Sequence, residues 1–258
     1  MAIKESVGDG GINASADVRV IQAALNGVLK PAKPLAVDGL IGPATIGVIR
    51  DFQDEKVGLR RPDGRVDPGG RTLRTLEKLL PKGLNEDALA GVMCSASKRI
   101  VETYFPLLQH DCQDHSAISS PLRLAHFLSQ IGHESLSLQL TEELASGEAY
   151  EGRADLGNTE PGDGVRFKGR GLIQLTGRYN YERYAEFADI DTSKPDWPEL
   201  LSTPEHALRV AIWFWEQRGL ADKADHDDVK GITRAINGGY NGLEDREEYL
   251  ARAKFFLT

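Results

Sequence analysis

The sequence predicts a mostly α-helical protein, with a small three-helix bundle followed by a larger α-rich region. Apolar residues recur three and four positions apart along most of the chain, which is the spacing of amphipathic helices. A chain of 258 residues exceeds the usual size of one domain. The stretch "LPKGLNEDALAG" interrupts the helical pattern with a proline and two glycines. We therefore expect one domain over residues 1–80, a linker over 81–85 and a second domain over 86–258.

Composition and charge exclude several classes of protein. The chain is 40% hydrophobic and 27% charged, and no apolar stretch approaches the length of a transmembrane helix. Its net charge of −8 divides into +2 for residues 1–80 and −10 for the rest. Since a nucleic-acid surface needs a basic footprint, we expect no nucleic-acid partner. We also expect no membrane insertion, no signal peptide and a monomer.

Cysteines and histidines give little indication of a metal or of a disulfide framework. Cys94 and Cys112 are too few for a disulfide scaffold and are expected to be unpaired and buried. The segment "HDCQDHS" (110–116) lacks the spacing of a structural zinc module and is interpreted as a polar turn between helices.

The first domain contains an internal repeat. "VDGLIGPATIGVIRDFQ" (37–53) and "PDGRVDPGGRTLRTLEKL" (62–79) align when Asp38 is paired with Asp63. Each copy has an Asp-Gly turn, an aliphatic residue and a proline suited to the first turn of a helix. The preceding segment "DVRVIQAALNGVL" has one apolar face, and Asp17 is its predicted N-cap. Three short helices joined by such turns predict a bundle.

This pattern resembles a known binding module. "VIQAALN…LAVDGLIGPATIGVIRDFQ" is similar to the peptidoglycan-binding domain found beside many wall-lytic enzymes, and the resemblance covers residues 15–80. It implies a three-helix module that holds glycan or stem peptide in a shallow groove. The alternative is a helical bundle that only packs on its neighbour.

The second domain places a charged pair at the end of an apolar helix. "SSPLRLAHFLSQIGHES" (119–135) has serine caps, an early proline and a buried face, so Glu134 falls at its C-terminal end. The helix dipole opposes a carboxylate there, and the protonated form that it favours suits a general acid. Zinc binding by His133 and Glu134 would need a second histidine where Ser137 stands. We therefore interpret His133 as a residue that orients Glu134.

Glycoside hydrolysis normally requires a second carboxylate. The next loop offers five, which are Glu142, Glu143, Glu148, Glu151 and Asp155. Any of them can reach a common cleft only if the helix ends near Ser135 and the chain turns back. Such a loop favours a wide carboxyl separation, which is the inverting geometry.

The segment "GDGVRFKGRGLIQLTGRYNYERY" (162–184) is the most distinctive in the chain. It lacks the ending of a phosphate-binding loop, so nucleotide binding is not expected. Polar residues at 174, 176 and 180 alternate with apolar ones, which predicts a strand-like segment with outward groups suited to sugars. A purely structural hairpin is the alternative. Downstream helices are predicted over 203–220 and up to Asn237, with Trp213 and Trp215 in the core.

"FLSQIGHES", "FKGRGLIQLTGRYNY", "AINGG" and "DREEYLARA" together resemble the family 19 glycoside hydrolases. The nearest branch is that of bacteriophage endolysins and bacterial lysozyme-like enzymes, and the resemblance covers about residues 85–258. It implies a lysozyme-like fold and inverting hydrolysis of a β-1,4 N-acetylhexosamine polymer.

The resemblance also implies roles for individual residues. Glu134 matches the general acid, Glu143 is the first choice for the base with Glu151 next, and Thr176 helps to hold the attacking water. The positions expected to line the sugar cleft are Gln174, Asn180, Tyr181, Asn237 and Arg246. The chain departs from plant chitinases in lacking their disulfide cysteines and in the loop after Glu134.

These patterns together predict a modular endolysin that binds bacterial peptidoglycan and cuts its glycan strand, with no metal or organic cofactor. We expect the protein to stay in the host cytoplasm until a separate pore-forming protein releases it to the wall. The alternatives are a chitinase and a non-catalytic wall-binding protein.

Overall fold

The computed structural model describes all 258 residues and is mostly α-helical, as the sequence predicted. Two short strands, β1 (Val7–Gly8) and β2 (Arg65–Val66), form one antiparallel pair. The helices, in chain order, are α1 (Ser15–Leu29), α2 (Pro43–Phe52), α3 (Arg71–Leu79), α4 (Glu86–Val92), α5 (Lys98–Asp114), α6 (Pro121–Glu134), α7 (Asp163–Arg166), α8 (Arg178–Phe187), α9 (Pro204–Gln217), α10 (Leu220–Asp225), α11 (Val229–Asn237) and α12 (Leu243–Leu257).

The first unit is the predicted three-helix bundle of α1, α2 and α3, with the β1–β2 pair added beside it. The prediction for Asp17 is wrong, because α1 begins at Ser15 and Asp17 lies inside its first turn. The Asp17 carboxylate is buried and accepts hydrogen bonds from the amides of Lys4 (3.2 Å) and Glu5 (2.8 Å). Asp17 therefore fixes the N-terminal segment against α1.

The internal repeat is present in three dimensions. In the first copy, the Gln22 side chain donates to Asp38 Oδ1 (2.9 Å) and accepts from the amide of the following glycine (3.0 Å). In the second copy, Gln53 donates to Asp63 Oδ1 (2.6 Å) and accepts from the following glycine amide (2.8 Å). Both glycines have a positive φ, near 76° and 74°, which L-residues rarely adopt. Each Asp-Gly turn is thus held by a glutamine from the element before it.

The two units share one hydrophobic core. A continuous cluster of 48 buried residues runs from Ala2 to Leu257. Helix α4 lies between α1 and α12, where Gly91 leaves room for Phe256 on one side and Ala23 on the other. The predicted linker is also tied down, because the Gly83 amide donates to Phe256 O (3.0 Å). The boundary near residues 81–85 stays a prediction, since no break in the core marks it.

A second, smaller core lies around α8 and α9. Its nine buried residues include Phe167, Tyr181, Trp197 and Trp213, with the rings of Phe167 and Tyr181 5.3 Å apart. Trp213 belongs to this core and Trp215 to the larger one, so the prediction that both tryptophans are core residues is confirmed.

Two segment predictions need correction. The strand predicted within 162–184 does not form: residues 170–175 make a tight turn with an isolated bridge between Arg170 and Leu175, and α8 follows from Arg178. The predicted polar turn at 110–116 is mostly helix, because α5 continues to Asp114 before the chain turns. Cys94 and Cys112 are unpaired and half-buried. None of the helices combines the length and apolarity required to cross a membrane.

Candidate active site

Glu134 is the last residue of α6, as the sequence predicted. Ser120 caps the start of the helix, because its hydroxyl accepts from the Arg123 amide (3.2 Å). Pro121 is the first helical residue. The predicted apolar face is buried, and the Glu134 side chain remains 20% exposed at the end of the helix. The helix therefore presents one carboxyl at the edge of the core, where a substrate can reach it.

The chain reverses immediately after Glu134. Ser135 ends the helix: its hydroxyl donates to Ile131 O (2.5 Å) and accepts from the Leu138 amide (2.8 Å). Leu136, Ser137 and Leu138 all have positive φ, between 53° and 67°. Consecutive non-glycine residues in this region are strained, and such strain clusters at functional sites. The expectation that the helix ends near Ser135 and that the chain turns back is confirmed.

Arg246, from α12, holds the Glu134 carboxylate. Its side chain is fully buried, with one guanidinium nitrogen 2.5 Å from Glu134 Oε1 and another 2.6 Å from Gln130 Oε1. The Glu134 carboxylate thus accepts a charge-assisted hydrogen bond from a buried guanidinium. Arg246 was predicted to line the sugar cleft; in the structure its side chain is buried and contacts Glu134 and Gln130. It therefore positions Glu134.

His133 is directed toward the start of α12. Its Nδ1 lies 2.6 Å from Asp245 Oδ2, and this hydrogen bond lowers the pKa of the Asp245 carboxyl. The imidazole also lies against Gly242, where a side chain would collide with it. His133 therefore contributes to the placement of Glu134 by fixing the end of α6 against α12.

Glu143 lies on the returning loop beside Gly169. The two residues exchange hydrogen bonds: the Glu143 amide donates to Gly169 O (2.9 Å), and the Gly169 amide donates to Glu143 Oε2 (2.8 Å). A Cβ at position 169 would stand 2.7 Å from that carboxylate oxygen and 3.0 Å from Gln174 Oε1. Burial, and then the nearby charge of Glu143, raise the pKa of the Tyr150 hydroxyl. Glu143 and Gln174 thus flank Gly169, and Tyr150 lies near Glu143.

Three of the other loop carboxylates have polar partners. Glu142 is paired with Lys168 and Arg170, both at 3.1 Å. Burial alone would raise the pKa of Glu142, but the hydrogen bond from Lys168 and the charge of Arg170 outweigh it and lower this pKa. Glu151 accepts from the amides of Gly162 (2.6 Å) and Gly164 (2.8 Å), one with each oxygen.

Asp155 is paired with Arg153 at 2.6 Å, and Glu148 is exposed. Glu143 therefore differs from its neighbours, because it is half-buried and has no cation within ion-pair distance.

Three predicted polar residues form a chain on the turn after Gly169. The Gln174 side chain donates to Gly171 O (3.0 Å), Thr176 Oγ1 donates to Gln174 O (2.9 Å), and Asn180 donates to Thr176 O (2.8 Å). Gln174 has a φ of 55°, another strained non-glycine position. All three side chains are half-buried. They keep free hydrogen-bonding capacity, and Gln174 lies near Glu143 across Gly169.

Two further predicted cleft residues lie elsewhere. Tyr181 is fully buried, and its hydroxyl donates to Lys168 O (2.5 Å); that it contacts sugar stays a prediction. Tyr181 supports the Lys168–Gly169 backbone from behind. Asn237 is exposed at the end of α11 and accepts from the Gly239 amide (3.1 Å); the predicted C-cap glycine follows it, with a φ of 76°.

Sequence reasoning missed Gln130 and Gly169. Gln130 stands four residues before Glu134, and this spacing puts both on one helix face, so that signal was available. No local signal marks Gly169, whose role depends on the returning loop.

Comparisons with known proteins find similarity to a binding-domain family and to family 19 glycoside hydrolases. Residues 14–76 match the family described as "Putative peptidoglycan binding domain". Among solved structures, a bacterial family 19 chitinase superposes with a TM-score of 0.54 at 19% identity, covering 67% of this chain and 95% of that one. This chain has the fold of a family 19 chitinase. A class IV family 19 chitinase from Zea mays gives a TM-score of 0.52 at 16% identity, over 68% and 94% of the two chains.

Sequence relatives agree with the family 19 fold. A "glycosyl hydrolase family 19 domain-containing protein" of Haemophilus influenzae is 34% identical over 104 residues, which are 40% of this chain and 49% of that protein. An endochitinase of Arabidopsis thaliana is 32% identical over 117 residues, 45% of this chain and 39% of its own. The chain thus spans half or less of the length of these two relatives, which are a family 19 protein and a chitinase.

Proposed function

We propose that this protein is an endolysin that hydrolyses the β-1,4 glycan backbone of bacterial peptidoglycan, as a muramidase, with inversion. One observation carries the proposal: two half-buried carboxyls stand in contrasting surroundings. Glu134 is paired with a buried arginine, and Glu143 is held by a backbone amide without a cation. The matched peptidoglycan-binding unit packs on the same core. Inverting glycosidases use two carboxyls, one as acid and one as base, and the family 19 resemblance of its motif assigns the acid role to Glu134.

In this mechanism Glu134 is the general acid. Arg246 holds Oε1, which leaves Oε2 to carry a proton and deliver it to the leaving glycosidic oxygen. The buried Arg246–Gln130 contact fixes the carboxyl before the substrate arrives, so that little reorganisation is required.

Glu143 is the general base, oriented by the Gly169 amide. It takes a proton from the water that attacks the anomeric carbon from the opposite face. Thr176 donates its hydroxyl hydrogen to Gln174 O, so its oxygen is left to accept a hydrogen bond from that water. Gln174 and Asn180 bind the sugar beside it.

Chitinase activity is the second candidate, because several curated relatives are endochitinases. The matched peptidoglycan-binding unit favours the wall polymer over chitin. The partly exposed carboxyls of Glu134 and Glu143 favour an enzyme over a non-catalytic wall-binding protein. Under our proposal the protein accumulates in the host cytoplasm until a separate pore-forming protein releases it to the wall.

The deciding experiment is mass spectrometry of the products from purified peptidoglycan after borohydride reduction. New reduced N-acetylmuramic acid ends are expected and would establish a muramidase. Reduced N-acetylglucosamine ends would move the cut to the other linkage, and release of fragments from chitin alone would support the chitinase. The absence of new reducing ends would refute hydrolysis of the glycan strand.

Glu134→Gln should reduce hydrolysis of peptidoglycan by about 10²- to 10⁴-fold, because the amide cannot donate an acidic proton. Binding to sedimented walls should be unchanged. The matched control is Glu247→Gln, which removes an exposed carboxylate from α12 and should leave both properties intact. Turnover of Glu134→Gln within a few-fold of the unmodified protein would remove Glu134 from the acid role.

A further inference from the structure

The turn that follows Glu134 is held by a pair of buried hydroxyl groups. Ser137 has no exposed surface, and its Oγ lies 2.6 Å from the hydroxyl oxygen of Tyr249 on α12. The same Oγ accepts a hydrogen bond from the Ser95 amide (3.2 Å), which belongs to the connection between α4 and α5. The Ser137 amide donates to Gly132 O (2.7 Å) on α6. One serine therefore joins the turn to α6, to α12 and to the α4–α5 connection.

The backbone of this turn needs such contacts. Ser137 has a φ of 58°, and its neighbours Leu136 and Leu138 also have positive φ, which is unfavourable for residues other than glycine. A strained run of this kind persists only where surrounding contacts hold it. The Leu136 side chain is 53% exposed, so packing contributes little there. The Ser137 hydroxyl supplies two of the contacts that hold the turn in place.

Tyr249 also connects the turn to the arginine that binds Glu134. It follows Arg246 by three residues on α12, and this spacing puts both side chains on one face of the helix. Its ring packs on Gly132, where a Cβ would stand 2.7 Å from the nearest ring carbon. Burial raises the pKa of the Tyr249 hydroxyl, so the hydroxyl stays protonated and shares a hydrogen with Ser137. A displacement of Tyr249 would therefore displace the end of α6 that carries Glu134.

The α4–α5 connection is itself fixed from the first unit. Arg19, on α1, donates to Ala96 O (2.8 Å), and Ala96 has no exposed surface. The adjacent residue, Ser95, is the one whose amide donates to Ser137. Hydrogen bonds thus run from the first unit, through two consecutive buried or half-buried residues, to the turn after Glu134.

We propose that Ser137 and Tyr249 are positioning residues that set the orientation of the Glu134 carboxyl, and that Arg19 anchors this contact on the first unit. Both side chains of the hydroxyl pair are buried, so they act through the turn and through α6 and not by contact with sugar. A fixed acid lowers the barrier of the chemical step, whereas substrate binding does not depend on it. This inference rests on the proposed function in taking Glu134 as the acid.

The test is steady-state hydrolysis of soluble peptidoglycan fragments. Tyr249→Phe and Ser137→Ala should each lower kcat by about 10- to 100-fold and leave KM within about twofold, because only the placement of the acid changes. Tyr104→Phe and Ser202→Ala are the matched controls, since each removes a buried hydroxyl that has no hydrogen-bond partner. Both controls should keep the kcat of the unmodified protein. Equal kcat values for all four variants would overturn the inference.

A second variant at position 137 separates positioning from stability. Ser137→Gly removes the same hydroxyl but relieves the strain, because glycine adopts a positive φ freely. It should melt at a higher temperature than Ser137→Ala and lose at least as much kcat. If kcat instead recovers with the melting temperature, the hydroxyl serves stability alone and the inference is wrong.

The contribution of the first unit is tested with Arg19→Met, which keeps an unbranched side chain and removes the donors to Ala96. Its kcat on soluble fragments should fall by about threefold or more, as expected for a residue that acts through a connected network. Arg60→Met, at an exposed position of the same unit, is the control and should have no effect. An unchanged kcat in Arg19→Met would overturn the anchoring through the first unit.

Carbon-13 NMR of the Glu134 carboxyl decides the inference without any hydrolysis. The signal is assigned by its loss in Glu134→Gln. It should shift in Tyr249→Phe and Ser137→Ala and stay in place in Tyr104→Phe, and an identical signal in all three would refute the positioning role. Absence of new reducing ends with the unmodified chain would refute the proposed function, whereas the carboxyl signal would still show whether the two hydroxyls orient Glu134.

Discussion

Arg246 places a full positive charge where no solvent reaches it, and its two partners lie one helical turn apart on α6. Removing a partner from a buried pair costs several kcal/mol, because the remaining charge is left uncompensated. The placement of the proposed acid and the stability of the α6–α12 contact therefore depend on the same guanidinium. This coupling explains why the site lies at a helix end packed against a second long helix.

Glu143 and Glu151 should respond differently to the same change. Glu143→Gln should lower hydrolysis by about 10²- to 10⁴-fold with little change in stability, because its amide oxygen can still accept from Gly169. Glu151→Gln should instead cost about 1 kcal/mol of stability and keep most of the activity, since Glu151 serves two backbone amides. Turnover and thermal unfolding measured on both variants check this. The reverse pattern would make Glu151 the base.

Among individual residues, the position of Glu134 at the end of α6 was predicted correctly from the sequence, because capping signals and helical spacing are local. The sequence did not predict that Arg246 and Tyr181 are buried, for a common reason. The resemblance places both beside the cleft, but whether a side chain touches substrate or supports it from behind depends on packing by distant elements. For Tyr181 these are the rings of Phe167 and Trp197; for Arg246 they are Gln130 and Glu134.

Among the elements, α4 packs closely against helices of both units, α1 and α12. Gly91→Ala should destabilise the protein by about 1–3 kcal/mol, because the new Cβ would lie 2.6 Å from the Phe256 ring. Gly47→Ala, in α2, has no atom within 4 Å of its new Cβ and should stabilise by about 0.5–1 kcal/mol. Chemical denaturation of both variants measures the two values. A Gly91→Ala protein as stable as Gly47→Ala would contradict the packing described.

Helices were predicted from sequence more successfully than the short extended pieces. The 3.6-residue period extends over ten or more residues in α1, α6, α9 and α12, so each helix has a clear signal. The β1–β2 pair has two residues per strand, which is too short for any pattern. In residues 170–175, alternation of polar and apolar residues arises from a tight turn, and over so few residues a turn and a strand look alike.

For the whole molecule, the shared core predicts cooperative unfolding. Scanning calorimetry of the full chain should show one transition, because the buried cluster includes residues from α1 and α3 as well as from α6 and α12. Two independent units would instead give two transitions. A single endotherm with equal calorimetric and van't Hoff enthalpies is the expected result.

The hydrogen bonds between the connecting segment and the end of α12 have a further consequence. The Gly83 amide and the Lys82 side chain both donate to carbonyls of α12, at 3.0 Å and 2.7 Å. The segment that connects the two units is therefore fixed to the second unit. A catalytic unit on a flexible linker can cleave many bonds around one attachment point, whereas a rigidly attached one reaches only a few. Under the proposed function, the protein must therefore release the wall before each new cut, so tighter wall binding would slow turnover.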